Sequence, residues 1–136
     1  MDPGLQGTDR DLLTITGFGH AIAAAGTRCD PVPHLKVRKM RKFMSPQDDM
    51  AVIAAGLALA SAGLAGKPLG ERAGLFLAVG YLPFERDDIE TLLKDSLEGG
   101  RFSMSAFAEG GYRAANPLLT FRCLPNMAAY HISANF

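Results

Sequence analysis

In the stretch "LTFRCLPNMAAYHISANF" the side chains capable of chemistry are Cys123 and His131. A thiol and an imidazole can serve as nucleophile and base, as two metal ligands, or as packed side chains. The first role needs hydrogen-bond contact between them. A helix opened by Pro125 puts His131 nearly two turns in, whereas Cys123 precedes it, so nothing local makes the pair meet. The bland reading is a buried thiol and a helix histidine with local partners. A metal centre drawn from His20, Cys29, His34, Cys123 and His131 needs three distant segments to converge, and no pair has the close spacing of a zinc knuckle. The turn "GFGHAI" imitates a dinucleotide fingerprint, but Ile22 occupies the third glycine position, and Asp30 comes too early to be the acidic ribose partner. No metal and no cofactor is expected.

The strongest local chemical feature is a basic run. Lys36, Arg38, Lys39, Arg41 and Lys42 place five cations within seven residues. Such a run is either a solvated flank or a surface for an acidic partner. Over the whole chain 14 Lys and Arg balance 14 Asp and Glu, so no overall field draws nucleic acid or an anionic membrane, and electrostatic recognition has to be local.

The elements that position these residues follow from pattern. A polar leader, residues 1–11, precedes a domain over residues 12–136, and 48% hydrophobic residues argue against disorder. Leu12 to Gly19, "LLTITGFG", predicts a buried strand entering a tight turn, and Ala21 to Pro33 predicts loop with a helical turn at the alanines. "SPQDD" is a helix start: Ser45 as N-cap, Pro46 at the first position, and Asp48 and Asp49 against the positive end of the dipole. The helix should run from Pro46 to about Ala62. It is apolar around its circumference, which predicts burial on more than one side. The stretch Met50 to Gly66 is too short and too rich in Ala and Gly for a membrane span of about 20 residues. Leu75 to Val79 predicts a second interior strand. "ERDDIETLLKDSLEGG" predicts a surface helix with Ile89, Leu92, Leu93 and Leu97 on one face and Gly99 or Gly100 as its stop. "RFSMSAFAEGGYRAANP" predicts loop, followed by a last helix from Pro125. Strand, helix, strand, helix is an α/β order with parallel pairing expected. Two cysteines, and a start without a basic residue followed by an apolar core, point to the cytoplasm.

Four segments in order, "ITGFG", "RKFMSPQDDMAVIAAGLALASAGL", "GERAGLFLAVGY" and "NPLLTFRCLPNMAAYHIS", resemble the N-terminal part of the β-ketoacyl synthases, the condensing enzymes of fatty acid and polyketide assembly. The agreement covers most of Leu12 to Phe136. The resemblance implies an α/β domain, the N-terminal part of a thiolase-like fold with a mixed or parallel sheet and packed helices. It implies decarboxylative condensation of acyl thioesters in a complete enzyme, an acyl carrier protein with its phosphopantetheine as partner, and a homo- or heterodimer with a synthase subunit. The basic residues Lys39, Arg41 and Lys42 fall where that family docks its carrier. Leu118 and Leu119 fall at its subunit interface, where a large apolar residue shapes the acyl pocket; as residues alone they are equally ordinary core leucines.

The departures matter for activity. The stretch between the first strand and the basic run is shorter than in typical members. The family's nucleophilic cysteine follows the "NMAAYHIS" segment by about twenty residues, a position past Phe136, and its two later histidines are also missing. The expectation is therefore an acyltransferase-type chain without its catalytic groups, inactive by itself, or a non-catalytic, chain-length-factor-like or carrier-docking partner subunit. Apolar strands and helix that lack covering layers predict an isolated chain that is oligomeric or poorly soluble.

Overall fold

A computed structural model of the protein describes residues 15–21, 28–78 and 85–136. The polar leader, the first residues of the first expected strand, the alanines after Ala21 and Val79 lie outside them. Of the described residues 56% are helical, with one small two-stranded sheet.

The helix start forms as its residues dictate. The helix α1 spans Pro46–Ser61 behind Ser45, whose hydroxyl accepts from the Asp48 amide at 3.2 Å while the Asp48 carboxylate takes the Ser45 amide at 2.7 Å. This reciprocal box satisfies two end donors and is worth about 1 kcal/mol. The helix α6, Met127–Asn135, lies against it. Ala128, His131, Ile132 and Asn135 make one buried stripe on α6, and Asp48, Val52 and Gly56 make the facing one on α1. The apolar core is correspondingly small: Met44, Val52 and Ile132, with Leu35, Ala51, Ala55 and Phe136 packed on its edge.

Neither expected interior strand pairs among the described residues. Residues 15–21 and 73–78 are not in a sheet. A Cβ on Gly17 would collide with the Ala58 carbonyl, and one on Gly19 with that of Ala54, so the backbone lies directly on the alanine side of α1. Propensity favoured extension, but pairing also needs a neighbouring strand. Ile15 and Phe18 point outward, and Phe76 is 97% exposed. Because α1 is flanked by this segment, by α6 and by His34, it is covered on several sides, yet Leu57 remains exposed.

The second half departs further from the sequence reading. The helix α2, Arg86–Lys94, ends before the double glycine. Gly99 and Gly100, at φ of 57° and 79°, form a hairpin turn between β1, Leu97–Glu98, and β2, Arg101–Phe102, with Leu97 opposite Phe102. Two successive residues at positive φ make a two-residue hairpin, and this outcompetes the role of helix stop. The described pairing is therefore antiparallel, where parallel pairing was expected.

The stretch expected as loop is helical. It comprises α3 (Met104–Ala106), a π-turn over Phe107–Gly111 and α4 (Tyr112–Ala114), opened by the Ser103 hydroxyl accepting from the Ala106 amide at 3.2 Å. Of the two glycines that argued for loop, Gly110 faces open space and Gly111 makes a close approach. A Cβ at Gly111 would collide with the buried Ser96 hydroxyl, which donates to the Leu92 carbonyl at 2.7 Å. A further short helix, α5 (Leu119–Cys123), occupies the approach to α6, and Pro125 and Asn126 form the turn between the two.

Candidate functional site

The basic run folds as a 3-10 helix over Arg38–Phe43. At three residues per turn, side chains three apart eclipse, so the run divides into three edges. Lys39 and Lys42 share one edge and are exposed. Met40 and Phe43 share the second and face an apolar groove. Arg38 and Arg41 share the third; Arg38 is exposed and has no ion-pair partner among the described residues. The Arg41 guanidinium pairs with Asp30 at 3.2 Å and donates to the Cys29 carbonyl at 3.3 Å. Of Lys39, Arg41 and Lys42, the two lysines therefore form an outward cationic edge, and Arg41 holds the preceding loop. No described carboxylate pairs with either lysine. The amide of Lys36 donates to Asn135 at 2.7 Å, tying the start of the basic segment to α6.

The groove beside this helix has a volume of about 370 Å³ and is lined by Met40, Phe43, Phe121, Leu124, Met127 and Tyr130. The last four recur every third residue across α5, the turn and α6. Phe43 meets Phe121 edge to face, with centroids 5.5 Å apart, and the Lys42 ammonium lies 4.8 Å from the Phe43 ring centre. Cation and hydrocarbon thus share one aromatic ring. Leu118 and Leu119 do not line the groove. The Leu118 amide caps on Asn116 at 2.9 Å, and Leu119 opens α5, so it is Phe121, two residues on, that reaches the basic helix. The triplet spacing of apolar residues in "FRCLPNMAAY" and of Met40 and Phe43 was the available sign of this groove.

Cys123 and His131 are not joined. His131 is fully buried and neither ring nitrogen has a partner. Burial lowers its pKa, against a smaller opposing effect from the Asp48 charge, so the ring is held neutral. Cys123 is half-buried at the end of α5, and its pKa is raised, first by burial and then by the charge of Asp88. That environment suppresses the thiolate on which nucleophilicity depends. The His34 ring rests on Gly56, His20 sits by Phe18 with ring centres 5.7 Å apart, and Cys29 is half-buried. Among the described residues no group of three or more His, Cys, Asp or Glu is placed to hold a metal ion.

One network escaped the sequence altogether. The Arg28 guanidinium reaches Asp49 at 2.8 Å, the Met44 carbonyl at 2.8 Å and Glu85 at 3.6 Å; Arg122 in turn reaches Glu85 at 3.3 Å and Asp88 at 3.4 Å. The chain of charges pins the start of α1, the start of α2 and α5 to one another. Asp49 has no exposure, and burial pushes its carboxyl up to about 6 despite the opposing charge and hydrogen bond of Arg28. Its second oxygen has no partner, and neither does the Arg122 Nε. The ordinary function of such a network is to fix register between elements.

No helix among the described residues is long and apolar enough to cross a membrane. The chain matches no protein-family profile, no curated protein and no solved structure.

Proposed function

We propose that the protein is a β-ketoacyl-synthase-like N-terminal domain of thiolase-type ancestry, and that it acts by docking an acyl carrier protein and performs no condensation with its own residues. The observation that carries the docking role is the exposed edge of Lys39 and Lys42 immediately before the capped start of α1. Exposed ammonium groups on a short, well-anchored helix attract an acidic partner over distance and orient it, more than they hold it. Arg41 contributes by holding the helix to the loop at Asp30.

The state of the two reactive side chains favours a non-catalytic role for these 136 residues. Condensation needs an activated thiolate and histidines that contact the thioester. Here the thiol is raised in pKa, and the imidazole is buried with no access to a substrate. The exposed apolar segments carrying Ile15, Phe18, Leu75 and Phe76 fit a chain that associates, either with a second copy or with a synthase-type subunit bearing the catalytic groups. Leu118 and Leu119 belong to that proposed interface.

The reading is tested by titrating the purified chain with acyl carrier protein at low and moderate salt. Saturable binding that weakens with salt, and weakens about tenfold in Lys39→Glu/Lys42→Glu, supports docking. Formation of 3-ketoacyl product from acyl and malonyl carrier protein by the chain alone would overturn the non-catalytic assignment.

A further inference from the structure

The groove beside the basic helix has a composition that carrier docking does not call for. Its six lining side chains include two phenylalanines, two methionines, a leucine and a tyrosine, and they come from two chain segments about eighty residues apart in sequence. At one side stands Lys42, whose ammonium lies over the Phe43 ring, with Lys39 on the same edge of the 3-10 helix. From the apolar lining and the adjacent cation we propose that this groove binds an unesterified medium-chain fatty acid, its carboxylate at Lys42 and its hydrocarbon chain along Phe43, Phe121 and Leu124.

A neutral apolar ligand would leave the ammonium unused, and a short anion would leave the groove unfilled. At about 370 Å³ the groove falls in the size range of small-molecule sites, which suits an alkyl chain better than a short anion. Laurate offers both a carboxylate and an alkyl chain. Met40 and Met127 suit such a ligand because an unbranched thioether adapts to an irregular chain. The proposal needs no partner protein, although it shares Lys42 with the docking edge: the hydrocarbon lies along the apolar edge of the helix, and the carboxylate takes Lys42 while Lys39 stays outward.

Isothermal titration of the whole chain with sodium laurate, below its micelle concentration, tests it. One-to-one saturable binding is expected, with octanoate at least about tenfold weaker because each buried methylene contributes up to about fourfold. Dodecanol should bind about fivefold more weakly than laurate, and Lys42→Ala should bring laurate down to the alcohol's level. Phe121→Asp and Leu124→Asp place a carboxylate in the groove at side chains that are already half exposed, so the fold should persist by circular dichroism while laurate binding is lost. Absence of saturable laurate binding by the native chain overturns the proposal, as does laurate binding that survives both aspartate variants. Equal affinity for laurate and dodecanol overturns the role of the cation. Carrier docking that persists when laurate fails to bind would leave the docking assignment standing and remove only this one.

Discussion

Replacing His131 with Leu should stabilise the protein, although His131 is among its most buried residues. Both ring nitrogens lack a partner, and an unsatisfied buried polar group costs about 1–3 kcal/mol. Leucine fills most of the same space with carbon; allowing for a small void, the expected gain at pH 7.5 is about 1 kcal/mol. The pH dependence sharpens the test. Burial holds the folded-state pKa of His131 below its unfolded value, so as pH falls through about 6.5 the unfolded chain takes up a proton first and the native protein loses stability. The leucine variant lacks that loss. Its advantage over wild type should therefore grow as pH drops below 6.5, by at most about 1.4 kcal/mol per pH unit. Urea denaturation of both proteins at pH 7.5, 6.5 and 5.5 measures this directly. A variant destabilised by more than about 1 kcal/mol at pH 7.5, or an advantage that does not change with pH, would refute the reasoning.

Three further outcomes follow from single observations. Asp49 titrates oppositely: its folded carboxyl is raised to about 6, so its neutral form stabilises below the ordinary carboxylate pKa and that stability is lost as pH rises to about 6, up to about 3 kcal/mol in all. Asp49→Asn should flatten that decline in urea titrations, and an unchanged slope would assign it to other groups. In Gly56→Ala the new methyl collides with the His34 ring, and overpacking of about 1–3 kcal/mol outweighs the better helix propensity; adding His34→Ala should restore stability, whereas no rescue would show the contact is not the cause. Light scattering on the isolated chain should report species larger than a monomer because of the exposed Ile15, Phe18, Leu75 and Phe76, and a clean, stable monomer would count against an associating surface.

What could be read in advance was local. Ser45, Pro46 and Asp48 announce α1 because all the groups of a capping box lie within four residues. The second helix was legible from the apolar face of Ile89, Leu92 and Leu93, but not its end, since α2 stops at Lys94 and Leu97 passes into β1. The failures arise where a residue's role is decided by something distant. Gly111 looked like a loop residue because its partner, Ser96, is unknowable from the stretch itself. Extension at residues 15–19 and 75–78 was in the composition, but strand pairing requires a neighbour that composition does not name. The charge of Arg28 was visible, yet its partners Asp49 and Glu85 lie 21 and 57 positions away. Within the candidate site, the five cations were legible as a run. Their division into an exposed edge, an apolar edge and a structural arginine depended on the 3-10 turn, whose period of three differs from the α-helical spacing that patterns are usually tested against.

The measurement that bears most directly on the account is the affinity of the native chain for acyl carrier protein beside that of Lys39→Glu/Lys42→Glu. The docking assignment predicts saturable, salt-sensitive binding by the native chain and a loss of about tenfold in the charge-reversed one, with the thermal stability of both alike. Absence of binding by the native chain, or equal binding by the two, would contradict it.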